Sequence, residues 1–193
     1  PLIWNTKLMG IKQLYQPFLA QQTGIYSIHM MSQKRMTTFI DAIPSDYKKA
    51  VIHLNERNNI KEATGFEITP RTNLILDLNK PYEEIAANYS KSHKRNIKKA
   101  GKHHVKINAN IKPEKLMELY KQYQGVKIDA FKDDSYHAAH RVIYNSLHRG
   151  RGFMSGIQTK EGEWLAAAFF TMSHKRMTLL FPTTTPKGRE QNT

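Results

Sequence analysis

Three strand-like runs follow one another at residues 153–158, 164–172 and 177–184, each rich in aromatic, β-branched or small apolar residues. Their connections, Lys160-Glu161-Gly162 and Ser173-His174-Lys175-Arg176, are short enough to make antiparallel hairpins. Two helices are predicted ahead of these strands. Pro113 opens a helix in which Leu116, Leu119, Tyr120 and Tyr123 share a side, and Gly125 ends it. Asp133 and Asp134 cap a second helix running through Leu147. Tyr136, Ala139, His140, Ile143, Tyr144 and Leu147 lie at core spacing along it, and Gly150 and Gly152 close it. Sheet and helices together predict a mixed α/β (α+β) fold.

Earlier in the chain, residues 11–16 and 25–30 read as short strands around the polar loop AQQTG at 20–24. Ser32 is placed to cap a helix with an apolar side of Met36, Phe39 and Ile40, which Pro44 stops. Residues 50–54 and 72–78 have the composition of further strands, with turn material at 58–62 and Gly65. From residue 81 to 101 the spacing of Tyr82, Ile85, Ala86, Tyr89, Ile97 and Ala100 predicts one amphipathic helix. Pro81 suits its first turn, Glu83 and Glu84 its positive end, Lys98 and Lys99 its negative end, and Gly101 its stop. A brief strand follows at 105–107, and residues 185–193 show no structure of their own.

The chain has 193 residues and a formal charge of +14, spread over its whole length. Residues 91–106 hold seven Lys or Arg and no acid, an excess that packing does not require. Lys91, Lys94, Arg95, Lys98, Lys99 and Lys102 are the candidate contacts to a nucleic acid or other polyanion. A solvated face that keeps the protein in solution is the other reading, and no aromatic residues interleave with the run for base stacking. With no cysteine there are no disulfides, thiolate nucleophiles or cysteine-ligated zinc. The longest apolar run, residues 164–170, is too short to cross a bilayer, and the start PLIWNTKLMG lacks a signal-peptide core. The expectation is a cytoplasmic protein without a membrane span.

Motifs for known chemistries are sparse. His137 and His140 have a metal-ligand spacing on a helix but lack a third partner, so no metal is expected. His103 and His104 read as loop residues. No nucleophile elbow, P-loop or dinucleotide fingerprint occurs. Asp129 and Glu163 have the chemistry of a general base, but a surface or capping role is the expected one for each, and no general base is assigned. Two glycine loops have donors suited to an anion. Gln21 and Gly24 form a Gln-x-x-Gly ahead of the helix at Ser32, and Lys187, Gly188 and Arg189 stand among Thr, Gln and Asn near residue 188. The plain-turn reading remains open for the first.

Three stretches together, LYQPFLAQQTGIYS at 14–27, NLILDLNKPYEEIAANYSKSHKRNIKKA at 73–100 and EWLAAAFFTMSHKRMTLLFPTTT at 163–185, resemble the tandem GNAT-type N-acyltransferases related to the Fem peptidyltransferases of bacterial cell-wall synthesis. The resemblance implies two GNAT folds in series, each a twisted mixed sheet flanked by helices. On that template residues 1–78 are the later part of a first fold and residues 79–193 the earlier part of a second. Such a piece leaves strand edges open, so a longer chain or a homo-oligomer is expected. The family's donor loop, between the fourth strand and the next helix, has the form Gln/Arg-x-x-Gly-x-Gly/Ala. Gln21, Gly24 and Tyr26 occupy that pattern, with Tyr where a small residue belongs, and the loop at 185–192 departs from it. The implied reaction transfers an acyl group from acyl-CoA (acetyl-CoA), or an aminoacyl group from aminoacyl-tRNA, to an amine acceptor.

Overall fold

The computed structural model describes residues 3–6, 10–17, 19–128, 131 and 133–193. The chain divides into two compact units, Pro1–Leu76 and Asp77–Thr193. Two sheets and six helices among the described residues make the structure mixed α/β. None of these helices is long and apolar enough to cross a membrane.

The first unit has a small sheet. β1 (Trp4–Thr6) pairs antiparallel with β2 (Lys12–Leu14), and β2 pairs in parallel with the two-residue β3 (Lys49–Ala50). Helix α1 (Gln33–Asp41) falls between β2 and β3, as a parallel pair requires of its connection. Its cap is the expected one: Ser32 Oγ accepts from the Arg35 N–H. Met36 and Ile40, one turn apart, are buried with Ile60, and Ile25, Met31, Ile43, Leu54 and Ala63 pack around them. Phe39 faces out at 57 % exposure, because it lies on the flank of the helix away from Ile40 and the core covers only the Met36–Ile40 stripe.

Three expected strands of this region fail for one reason, which is that a strand needs a ladder partner. Residues 25–30 are irregular, with Met30 fully exposed, and of residues 50–54 only Ala50 is in a strand. Residues 72–78 form no ladder among the described residues, and Leu74 is 89 % exposed.

In the second unit the single basic helix is two. α2 (Tyr82–Ala87) stops at Asn88, and α3 (Lys91–Gly101) restarts where Ser90 Oγ accepts from the His93 N–H. A serine offers the backbone a local alternative to continuing the helix, and here it wins. Neither helix has a buried residue. Next come β4 (Lys106–Asn108), α4 (Pro113–Tyr123), a 3-10 turn at Gly125–Lys127 and α5 (Asp133–His148). β5 (Gly152–Gln158), β6 (Trp164–Ser173) and β7 (Arg176–Thr184) then form the expected meander, and the sheet order is β4-β5-β6-β7. This sheet is antiparallel throughout, not mixed.

Helices α4 and α5 cover one face of the sheet. Leu116, Met117, Leu119, Tyr120, Ala139 and Ile143 are buried on the helix side, with Met154, Leu165, Ala167, Phe169 and Phe181 on the sheet side. Phe169 faces Phe181 across the ladder while Phe170 faces Leu179, so Leu180 is an extra residue in β7. That bulge reverses the alternation: Phe181 and Thr183 point into the core, whereas Met177 and Leu179 before it are exposed.

Residues 185–193 are not structureless. Thr185 caps a short α6 (Pro186–Glu190), accepting at Oγ1 from the Gly188 N–H, and Pro186 fills the first turn where no N–H is needed. Thr185 followed by Pro was a start signal present in the sequence.

Candidate functional site

At the end of the sheet where β6 begins and β7 ends, the second unit has an open cleft of about 560 Å3. Its walls come from three segments. α4 contributes Lys115, Leu119, Gln122 and Tyr123, the β5–β6 turn contributes Gly162, Glu163 and Trp164, and the start of α6 contributes Thr185, Pro186 and Lys187. Trp164 is set by its neighbour: the indole lies where a side chain on Gly156 would come within 2.4 Å of it. Glu163 is set by the turn, since its N–H donates to Thr159 Oγ1 at 3.3 Å and its carbonyl accepts from the Thr159 N–H at 2.9 Å.

Across the mouth the Lys187 ammonium donates to the Glu163 carboxylate. That bond holds the lysine above its ordinary value of 10.5, so it stays a cation at any physiological pH. The second cation of the cleft, Lys115, pairs with Glu118 at 2.8 Å. The cleft therefore offers two lysines, a carboxylate with an accessible oxygen, and two aromatic rings.

The three residues singled out near 188 have different jobs. Lys187 faces the cleft. Gly188 is buried, and a side chain there would meet the Leu165 carbonyl oxygen at 2.1 Å, so it is the residue that lets α6 lie against β6. Arg189 is exposed and donates from Nη2 to the Thr184 carbonyl at 3.2 Å.

In the first unit Gln21 is exposed and Gly24 sits at φ +98°, with Asn58 Oδ1 2.5 Å from where a Cβ would be. The amides around Gly24 are engaged with the chain itself. Thr23 N–H donates to the His53 carbonyl at 2.8 Å and Ile25 N–H donates to Asn58 Oδ1 at 2.8 Å. Gln16 Oε1 accepts from both Thr23 Oγ1 and the His53 N–H, at 2.9 and 3.2 Å. Side-chain amides thus fasten residues 16–25 to residues 53–58 where strand pairing is absent.

No family model, curated protein or solved structure matches the chain.

The basic residues Lys91, Lys94, Arg95, Lys98, Lys99 and Lys102 are all exposed, and among the described residues none of them takes part in an ion pair. Lys94 Nζ reaches back to the Ala87 carbonyl at 2.7 Å and bridges the break between α2 and α3. His137 is exposed and His140 half-buried, and no group of three or more His, Asp or Glu among the described residues is arranged to hold a metal. His103 and His104 lie in a turn. Asp129 is outside the described residues. Lys115, Gln122, Tyr123 and Trp164 have no motif to mark them; the one local sign is that Trp164 directly follows Glu163 and the Gly162 turn.

Proposed function

We propose that the protein is an N-acyltransferase of the GNAT type, related to the Fem-like group, and that the cleft of the second unit is where donor and amine meet. The observation that supports this reading is the order of that unit after its two basic helices α2 and α3: a strand, two helices, three antiparallel strands, and a capped helix directly after the fourth strand. The template puts its donor loop between the fourth strand and the next helix, which here corresponds to Thr184 through Lys187, beside the cleft. Lys187 and Arg189 take the anionic part of an acyl-CoA or aminoacyl-tRNA donor, and Gly188 serves by packing. In the first unit Gln21 remains the contact of the same kind, while Gly24 is committed to the loop against Asn58.

In the transfer itself the amine lone pair forms the C–N bond at the acyl carbon. The thioester or ester bond then breaks, and its sulfur or oxygen departs with the electron pair. Glu163 accepts the proton that the nitrogen sheds, once the donor has drawn Lys187 away from it. Backbone N–H groups on the outer edge of β7 are suited to the oxyanion, since that strand pairs only with β6 among the described residues. Titration calorimetry with acetyl-CoA and, separately, with tRNA tests the reading. Saturable heat with one of them, weakened by Lys187→Gln, is the expected result. Heat with neither overturns the donor assignment.

The cations of α3, none of them in an ion pair among the described residues, favour a second reading, a non-catalytic polyanion binder. It expects affinity for tRNA that falls steeply with salt and survives Lys187→Gln but not the loss of Lys94, Arg95 and Lys98.

A further inference from the structure

At the opposite end of the same sheet lies a second cleft, of about 550 Å3, around the tip of the β6–β7 hairpin. β7 separates it from α6 by nine residues, roughly 25 Å of strand, so it is not part of the cleft at Trp164. Its polar lining is Ser173 and the basic residues Arg151, His174, Lys175 and Arg176, with no carboxylate. Its apolar lining is Leu78, Met172 and Met177. Neither Arg151 nor Lys175 takes part in an ion pair among the described residues.

The backbone presents these groups from fixed points. The Arg151 carbonyl accepts from the Met172 N–H at 2.7 Å and from Thr171 Oγ1 at 3.3 Å, which ties the root of the arginine to β6. At the tip, His174 and Lys175 occupy consecutive left-handed positions, φ +50° and +61°. Two-residue turns of this hand ordinarily use Asn-Gly, because a Cβ there is strained. Here two basic residues occupy both positions, and His174 Nδ1 is held 2.6 Å from Ser173 Oγ. Strain accepted in order to place an imidazole and a lysine in one cleft with an arginine is a feature of a binding site more than of a plain turn.

We propose that this cleft binds a phosphate group, a monoester or diphosphate, whose attached apolar portion lies on Met172, Met177 and Leu78. Arg151 supplies the forked donor that matches two phosphate oxygens, and Lys175 and His174 close over the anion from the hairpin tip. The methionines provide a deformable apolar floor without selecting one shape. The proposal does not depend on the acyltransferase reading.

The experiment titrates the full chain with inorganic pyrophosphate and with octyl phosphate at physiological salt, comparing the wild type with Arg151→Gln, Met177→Ser and, as a charge control, Lys127→Gln. Saturable binding of both probes is expected. Arg151→Gln should weaken both by about tenfold or more, as for loss of a charge-assisted hydrogen bond. Met177→Ser should weaken only octyl phosphate, and Lys127→Gln neither. Thermal melts confirm that Arg151→Gln, which changes an exposed side chain, leaves the fold intact. Cosedimentation with phosphatidylcholine vesicles containing phosphatidic acid identifies the source: capture that Arg151→Gln abolishes assigns the phosphate to a lipid headgroup, and no capture assigns it to a soluble ligand. Absence of saturable binding to either soluble probe, or equal weakening by Arg151→Gln and Lys127→Gln, overturns the proposal.

Discussion

Replacing Gly188 by alanine adds a single methyl group where the backbone of a neighbouring strand already stands. The new Cβ would lie 2.1 Å from the Leu165 carbonyl oxygen, 2.9 Å from its carbonyl carbon and 3.0 Å from Thr184 Cγ2. Two of these atoms belong to the backbone of β6, inside the sheet, so α6 is what must move. Its displacement loosens the bonds from Thr185 N and Oγ1 to the Leu165 carbonyl, at 2.9 and 3.2 Å, and the 3.0 Å cap bond from the Gly188 N–H. Overpacking costs ~1–3 kcal/mol and a lost threonine cap ~1 kcal/mol, while alanine regains ~1 kcal/mol of helix propensity over glycine, leaving a net ~1–3 kcal/mol. In a unit of about 120 residues that lowers the melting temperature by roughly 4–12 °C. Differential scanning calorimetry of the full chain reads the shift. An unchanged melting temperature accompanied by loss of donor binding would refute the reasoning, because Gly188 would then serve a ligand and not the contact between α6 and β6.

Asn58→Ala removes the side chain that accepts from the Ile25 N–H at 2.8 Å and donates to the Ile25 carbonyl at 2.9 Å, leaving a half-buried amide short of a partner at a cost of ~1–3 kcal/mol. Faster hydrogen exchange at Ile25 and faster proteolysis within residues 17–30 are expected, and unchanged rates would mean that the amide network does not hold this loop. The Tyr144 hydroxyl donates to Glu114 and is the main reason that this carboxyl lies below its ordinary 4.5, while the same bond raises the tyrosine above 10.0. A depressed carboxyl contributes stability above its unfolded pKa and loses it as pH falls through the folded value; the raised tyrosine contributes below 10.0 and loses it as pH climbs through its own. The link between α4 and α5 therefore weakens at both extremes, and carboxyl NMR should show the Glu114 midpoint rising in Tyr144→Phe. A midpoint indifferent to that change would remove the bond from the account.

Local chemistry made the second unit legible. Pro113, the 3.6-residue spacing of Leu116, Leu119 and Tyr120, and the two short hairpin turns each act over a few residues, and each element they announce is present. Residues 25–30 and 72–78 have the composition of strands, but a strand is a relation between two segments and composition specifies only one of them. The break between α2 and α3 was a contest of two local signals, apolar periodicity through residues 82–100 against a serine at 90, and the serine prevailed because no core contact holds that face: neither helix has a buried residue.

The candidate site was least legible where it is most three-dimensional. Glycines in polar loops suggested anion contacts, and Gly24 and Gly188 each also have a neighbour within 2.5 Å of a would-be Cβ, Asn58 Oδ1 for one and the Leu165 carbonyl for the other. A close-packed glycine and a phosphate-cradling glycine obey the same steric rule, absence of Cβ, so sequence alone does not tell them apart. Charge behaves differently. A lysine or arginine at the surface is most informative when it lacks a carboxylate partner, and among the described residues Lys187, drawn to Glu163, differs in this from Arg151, Lys175 and the α3 cations. Those cations keep their full attraction for an external anion, whereas Lys187 must first release a carboxylate. On the proposed reading, a ligand entering the Trp164 cleft would therefore free a base, and one at the hairpin tip or along α3 would not, which is why proton transfer is proposed for the first and recognition alone for the others.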